Sequence, residues 1–192
     1  DPPGTAYVVF GRSTGFGTNL DLSTLNGSTG FRIVGTANND RTGQSVSGAG
    51  DVNGDGYDDL LIGSFKSATT GFDAGTSYVV YGKGAAFSSS LQLSALDGTN
   101  GFRILGKDTN DRSGRSVSAA GDVDGDGFDD LLVGATGVDP TVYSPNAGAA
   151  YIIFGGNFTD GTLQLGQDTA DALGGSSAAD TFVAGQGNDT LT

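Results

Sequence analysis

Apolar residues in this chain come in short bursts rather than at helical spacing. Leu60-Leu61-Ile62, Tyr78-Val79-Val80, Leu131-Leu132-Val133 and Tyr151-Ile152-Ile153 are each bounded by Gly, Asn, Asp or Ser. Short runs of aliphatic and aromatic residues between turn formers predict β-strands. In the best-formed stretch the predicted strands are 45–49, 59–64, 76–81 and 102–105. The runs are nearly continuous instead of strictly alternating, as expected of sheets covered on both faces.

The pattern repeats. Tyr7-Val8-Val9-Phe10-Gly11 returns as Tyr78-Val79-Val80-Tyr81-Gly82. The same offset joins Gly30-Phe31-Arg32-Ile33-Val34-Gly35 to Gly101-Phe102-Arg103-Ile104-Leu105-Gly106, and Asn39-Asp40-Arg41 to Asn110-Asp111-Arg112. A third copy of the first strand, Tyr151-Ile152-Ile153-Phe154-Gly155, follows the second at a spacing longer by two. The added pair falls within 136–146, which carries Pro140 and Pro145. Four antiparallel strands in a unit of this size predict a propeller blade, and the fold class is all-β. The expected organisation is the end of a preceding blade over 1–43, a blade over 44–113, another over 114–166, and a linker with a new texture over 167–192. About two and a half blades cannot close a ring that needs ~4–8. The expectation is an incomplete propeller, finished by further blades from the same longer chain or from other copies. The opening Asp1-Pro2-Pro3 reads as the interior of such a chain.

Composition narrows the chemistry. Gly accounts for 35 of 192 residues, which suits many tight turns. All 22 acidic residues are Asp, and the net charge is −13. That balance excludes nucleic acid as a partner, because phosphate contacts need a basic face. With no His and no Cys, Ser-His-Asp and Cys-His catalysis, zinc sites and disulfides are excluded. No run of 18 apolar residues exists, so no helical membrane insertion is expected.

Two nine-residue loops carry the readable chemistry. They are Asp51-Val52-Asn53-Gly54-Asp55-Gly56-Tyr57-Asp58-Asp59 and Asp122-Val123-Asp124-Gly125-Asp126-Gly127-Phe128-Asp129-Asp130. Side-chain oxygens at positions 1, 3 and 5, a Gly at 6 and a backbone carbonyl at 7 match the first half of an EF-hand calcium loop. The second half departs from it: position 12 is Ile62 or Val133, where an EF-hand has a bidentate Glu, and the flanks read as strands. Position 9 closes the cage instead. The candidate ligands are Asp51, Asn53, Asp55, Tyr57 and Asp59 in loop one, and Asp122, Asp124, Asp126, Phe128 and Asp130 in loop two. Asp58 and Asp129, at position 8, are expected to face solvent. Carboxylates packed this closely repel one another, and a hard divalent cation relieves the repulsion. Calcium suits the many protein oxygens better than magnesium, which demands fewer ligands in tight octahedral geometry.

The phrase Gly-x-Ser-Val-Ser-x-Ala-Gly-Asp-x-(Asn/Asp)-Gly-Asp-Gly-(aromatic)-Asp-Asp-Leu-Leu-(Ile/Val)-Gly, at 43–63 and 114–134, resembles the FG-GAP repeat of integrin α-subunit propellers and their bacterial relatives. Phe10-Gly11 and Phe154-Gly155 resemble its Phe-Gly element, with Tyr81-Gly82 as a variant. Gly63-Ser64-Phe65 and Gly134-Ala135-Thr136 stand where the family has Gly-Ala-Pro, and both lack the Pro. The resemblance implies seven-bladed propellers whose blade loops are braced by calcium, and adhesive or structural roles at cell surfaces. It carries over no ligand-binding residue.

After Leu163-Gln164-Leu165 the repeat is lost and a nine-residue spacing begins, with Asp180-Thr181-Phe182-Val183 followed by Asp189-Thr190-Leu191-Thr192. The segment 184–192 resembles the nonapeptide of repeats-in-toxin (RTX) arrays. That resemblance implies the start of a parallel β-roll, with a calcium half-site from Asp180, Gly185, Gly187 and Asp189. It also implies export to the cell exterior.

The remaining conspicuous residues have plainer readings. Arg41 and Arg112 pair with nearby Asp or carbonyl groups at blade corners in preference to an anionic ligand. Arg32 and Arg103 point outward and shield an outer strand. Most Tyr and Phe belong to the core. The expectation is therefore a non-enzymatic, calcium-binding module of a secreted bacterial surface protein, acting in adhesion or extracellular assembly on a protein or carbohydrate ligand. The alternative is an accessory or lectin-like propeller of a larger extracellular protein whose enzymatic domain lies elsewhere.

Overall fold

A computed structural model describes residues 2–139 and 147–156, and the backbone of four two-residue strands beyond them. Among the described residues the chain is all-β, as the turn-punctuated pattern predicts, apart from two single-turn 3-10 segments at Leu22–Thr24 and Leu93–Ala95.

Blade one is a four-stranded antiparallel sheet. Its strands β3 (Ser45–Gly50), β4 (Asp59–Ser64), β5 (Thr76–Val80) and β7 (Gly101–Leu105) are hydrogen-bonded in that order. Blade two repeats the first three strands as β8 (Ser113–Gly121), β9 (Asp130–Ala135) and β10 (Ala149–Ile153), in the same antiparallel order. Ahead of them, β1 (Thr5–Val9) pairs with β2 (Gly30–Val34). These two strands lie one repeat before β5 and β7 and are the outer half of a preceding blade. The sequence reading missed β6 (Ser90–Gln92), which runs parallel to β2 and ties blade one to its neighbour through main-chain bonds. At three residues it is too short to show a period.

The apolar runs become the core between blades. Leu61 on β4 and Val79 on β5 face blade two and pack with Leu131, Val133 and Ile153. Their neighbours in sequence, Ile62, Tyr78 and Val80, turn to the other face and pack with Phe31 and Ile33 of β2. Successive side chains on a strand point to opposite faces, so a sheet covered on both sides needs an unbroken apolar run. Phe31 and Phe87 stack there at 4.3 Å between ring centroids. Fully burying each such aliphatic or aromatic side chain stabilises the fold by ~1.5–3 kcal/mol.

Beyond blade two, β11 (Gln164–Leu165) pairs in parallel with β13 (Phe182–Val183), and β12 (Ala172–Leu173) with β14 (Thr190–Leu191). Both pairings join strands that stand two nonapeptides apart in the sequence. Both are parallel pairs of two residues each.

Candidate metal centres

Each aspartate loop joins the first strand of a blade to the second. Loop one leaves β3 through a register shift between Gly48 and Gly50, and loop two leaves β8 through one between Ala119 and Gly121. Gly50 and Gly121 both take a left-handed backbone (φ 73° and 70°), which steers the chain out of the sheet at little steric cost. Position 9, Asp59 or Asp130, is the first residue of the next strand and is fully buried.

Within loop one the main chain folds around the acidic side chains. Asp51 Oδ1 accepts the amides of Gly54 (2.8 Å) and Asp55 (3.0 Å), and its Oδ2 accepts that of Gly56 (2.8 Å). Asn53 Oδ1 accepts the Asp55 amide at 3.0 Å, and Asp55 Oδ1 accepts the Tyr57 amide at 2.9 Å. Loop two repeats the scheme. Asp122 accepts the amides of Gly125, Asp126 and Gly127 at 2.7–3.1 Å, while Asp124 takes Asp126 and Asp126 takes Phe128. These bonds fold the main chain around positions 1, 3 and 5. In loop two, one carboxylate oxygen from each of Asp122, Asp124 and Asp130 lies within 4.8 Å of the other two. Like charges at that separation repel by ~1 kcal/mol in water and ~3–4 kcal/mol at an effective dielectric of 20. Desolvation acts on one aspartate in each loop. It pushes the Asp59 carboxyl up to about 6, against the hydrogen bonds from Gly82 and Val52 and with the help of the Asp55 and Asp51 charges. Desolvation also raises Asp124, and the charges of Asp126, Asp130 and Asp122 add to it.

The position-9 aspartates hold the loops to the blade. Asp59 Oδ2 accepts the Val52 amide (3.0 Å) and its Oδ1 accepts the Gly82 amide (2.8 Å). Asp130 does the same with Val123 (2.7 Å) and Gly155 (2.8 Å). Gly82 and Gly155 follow the aromatic residue that ends the third strand. A Cβ on Gly82 would strike the Asp58 carbonyl oxygen, and one on Gly155 the carbonyl of Asp129. The recurring aromatic-Gly pair is therefore the donor and the clearance that this buried aspartate needs. Sequence reading caught the pair but not its role.

One expectation fails. Asp58 is exposed as anticipated, but Asp129 is half-buried and accepts the Asp51 amide of the neighbouring loop at 2.9 Å. Its side chain does point away from its own cage, but the direction it points is toward the blade before it and not toward solvent. Tyr57 and Phe128, proposed to offer carbonyls, hold position 7 in both loops. The proposed half-site at Asp180, Gly185, Gly187 and Asp189 lies outside the described residues. At the blade corners, Arg41 and Arg112 have left-handed backbones (φ 60° and 56°). Arg32 and Arg103 are exposed, as expected of outward-facing positions.

A family model for the FG-GAP repeat matches residues 42–80 and 113–153, which contain both loops and the strands around them. This chain carries two FG-GAP repeats. It is also similar to integrin α chains. Integrin alpha pat-2 of Caenorhabditis elegans is 33% identical over 147 residues, 69% of this chain and 10% of that protein. Integrin alpha ina-1 of the same organism is 33% identical over 131 residues, covering 65% and 11%. Integrin alpha-5 of Xenopus laevis is 37% identical over 98 residues, covering 48% and 8%. The chain spans about a tenth of the length of these relatives. In the FG-GAP repeats the aspartate loop, the buried position-9 aspartate and the aromatic-Gly pair form one hydrogen-bonded unit. No helix among the described residues is long and apolar enough to cross a membrane.

Proposed function

We propose that the two FG-GAP repeats are calcium-braced blades of an extracellular, adhesion-type propeller module with no catalytic role of its own. The observation that supports this best is the convergence of Asp122, Asp124 and Asp130 oxygens within 4.8 Å, in a loop whose main chain is already folded around them. Loop one carries Asp51, Asn53, Asp55 and Asp59 at the same positions and repeats the internal main-chain bonds. All the donors are hard oxygens, from side chains with position-7 carbonyls beside them, and such a set favours calcium over magnesium. Extracellular modules of this kind bind calcium at ~10⁻⁴–10⁻³ M, which suits a site outside the cell. The similarity to integrin α chains supports the adhesive setting, and a protein or carbohydrate surface is the ligand class that follows.

The test is thermal unfolding of the full chain in about 2 mM calcium, a level above the ~10⁻⁴–10⁻³ M range of such sites, and in EDTA. At that level a ligand with a Kd in this range stands at ~2–20 times its Kd and stabilises the folded state by ~0.6–1.8 kcal/mol per site. For a chain of this size each kcal/mol raises Tm by ~2–4 °C. Calcium should therefore raise Tm by several degrees over EDTA. Superimposable melts would remove the brace.

A further inference from the structure

Blade two reaches across to loop one through the residues at positions 7 and 8 of its own loop. Asp129 Oδ2 accepts the Asp51 amide at 2.9 Å, and the Asp129 amide donates to the Asp51 carbonyl at 3.0 Å. The Gly156 amide adds a bond of 2.8 Å to the Val52 carbonyl. The fit leaves no room for a side chain at the contact: a Cβ on Gly50 would run into the Asp129 carboxylate, and one on Gly54 into the Phe128 ring. Asp51 is the position-1 residue of loop one, so its main chain is fixed on both sides by a residue of the next blade.

The chain contains its own control. Gly121 and Gly125 are the loop-two counterparts of Gly50 and Gly54, with nearly the same left-handed φ values, and a Cβ on either meets nothing within 4 Å among the described residues. Asp58, the loop-one counterpart of Asp129, is exposed. The two loops share a sequence pattern and an internal hydrogen-bond scheme, and they differ in whether a neighbouring position-8 aspartate grips the first residue.

We propose that Asp129 is a positioning residue for the cation site of loop one, so that the site's affinity depends on blade two being docked beside it. This rests on the calcium reading above. Counting charges favours loop two, since it has Asp124 where loop one has Asn53. An outer partner that fixes a ligand typically changes metal affinity by about 10–100-fold. Ligand charge count works on a similar scale, so the grip of Asp129 offsets the charge that Asn53 lacks.

Tyrosine chemistry lets the loops be read separately. Loop one carries Tyr57 with Tyr81 behind it, where loop two has Phe128 and Phe154, and the chain has no Trp. Terbium luminescence excited through tyrosine therefore weights loop one, with Tyr57→Phe measuring what the other tyrosines, Tyr151 of blade two among them, contribute, while calorimetry with calcium counts both sites. Asp129→Ala should weaken terbium binding at loop one by at least about tenfold. Asp129→Asn keeps an acceptor oxygen at the same reach and should recover most of that loss. Asp58→Ala removes the same charge at the ungripped position and should leave the terbium midpoint in place. Circular dichroism in EDTA checks that each variant is folded. Should Asp129→Ala not fold, Asp129→Ser, whose shorter polar side chain does not reach the Asp51 amide, takes its place with the same expected loss. Equal effects of Asp129→Ala and Asp58→Ala, or an Asn variant as weak as the Ala variant, would overturn the positioning role while leaving calcium binding intact. Wild-type chain that gives neither terbium signal nor calcium heat would instead sink the calcium reading, and this inference with it.

Discussion

Blades one and two are near-copies in sequence but sit in different surroundings. Leu61 and Leu132 occupy the same place in the second strand, yet Leu61 is fully buried and Leu132 is 37% exposed. Tyr81 and Phe154 end the third strand of each blade, at 6% and 44% exposure. Val52 and Val123 enter the two loops, and again only the blade-one residue is buried. The repeat sets which positions are apolar, and the neighbour sets which of them leave water. A blade is therefore specified as a slab with two adhesive faces. Its stability is a sum of its own hydrogen bonds and of the interfaces on either side, as in other repeat architectures.

The sharpest way to break this comparison is to truncate the same leucine in both blades. Leu61→Ala should cost about 3 kcal/mol in denaturant unfolding, within the range for leucines in closed cores. Leu132→Ala should cost under about 1 kcal/mol, because the lost methyl groups already touch solvent. Equal costs would mean that burial between blades does not govern the stability of this chain.

A second pair sharpens the comparison at the loops. Gly54→Ala and Gly125→Ala impose similar backbone strain, since both glycines are left-handed (φ 75° and 81°). An L-residue there costs ~1–2 kcal/mol in either loop. At Gly54 the new methyl also meets the Phe128 ring, whereas at Gly125 it meets open space. Overpacking of this kind adds ~1–3 kcal/mol, so Gly54→Ala should melt lower than Gly125→Ala. Indistinguishable melts would show that the two blades are not held together at this contact.

Much of this was legible in the sequence because the repeat supplies several copies of each signal. The four strands of blade one were placed to within about a residue, since Gly and Asp punctuation flanks every apolar run. The candidate ligands could be named because Asp and Asn at positions 1, 3 and 5 followed by Gly have a chemical meaning independent of the fold. Three features were not legible. The strand Ser90–Gln92 is held by a neighbouring blade and not by its own propensity. The cross-blade bond of Asp129 depends on which side of the loop the next blade stands, which spacing along one chain does not encode. The role of Gly82 and Gly155 needed the position of a buried carboxylate known in three dimensions. In each case the missing information is contact between units, while the content of each unit was visible in its residues.

The smallest predicted effect concerns a mismatch between the blades. The Tyr81 hydroxyl is buried and makes no hydrogen bond among the described residues. Burial also raises its pKa, and the nearby Asp59 and Asp55 charges add to that, so the hydroxyl stays protonated. Phe10 and Phe154, which follow the equivalent strands β1 and β10, have no hydroxyl at this place. A buried hydroxyl without a partner costs ~1–3 kcal/mol relative to one that is paired, whereas removing it leaves the ring's packing intact. Tyr81 packs against Phe102, with ring centroids 6.0 Å apart, and a phenylalanine keeps that contact. Tyr81→Phe should therefore leave the fold unchanged and raise stability by up to about 1 kcal/mol, read as a higher midpoint in urea with the same slope. A loss of stability would mean that the hydroxyl has a partner in solution, most simply the loop-one carboxylates through water. The aromatic that ends the third strand would then belong to the cation site in blade one and to the core alone in blade two.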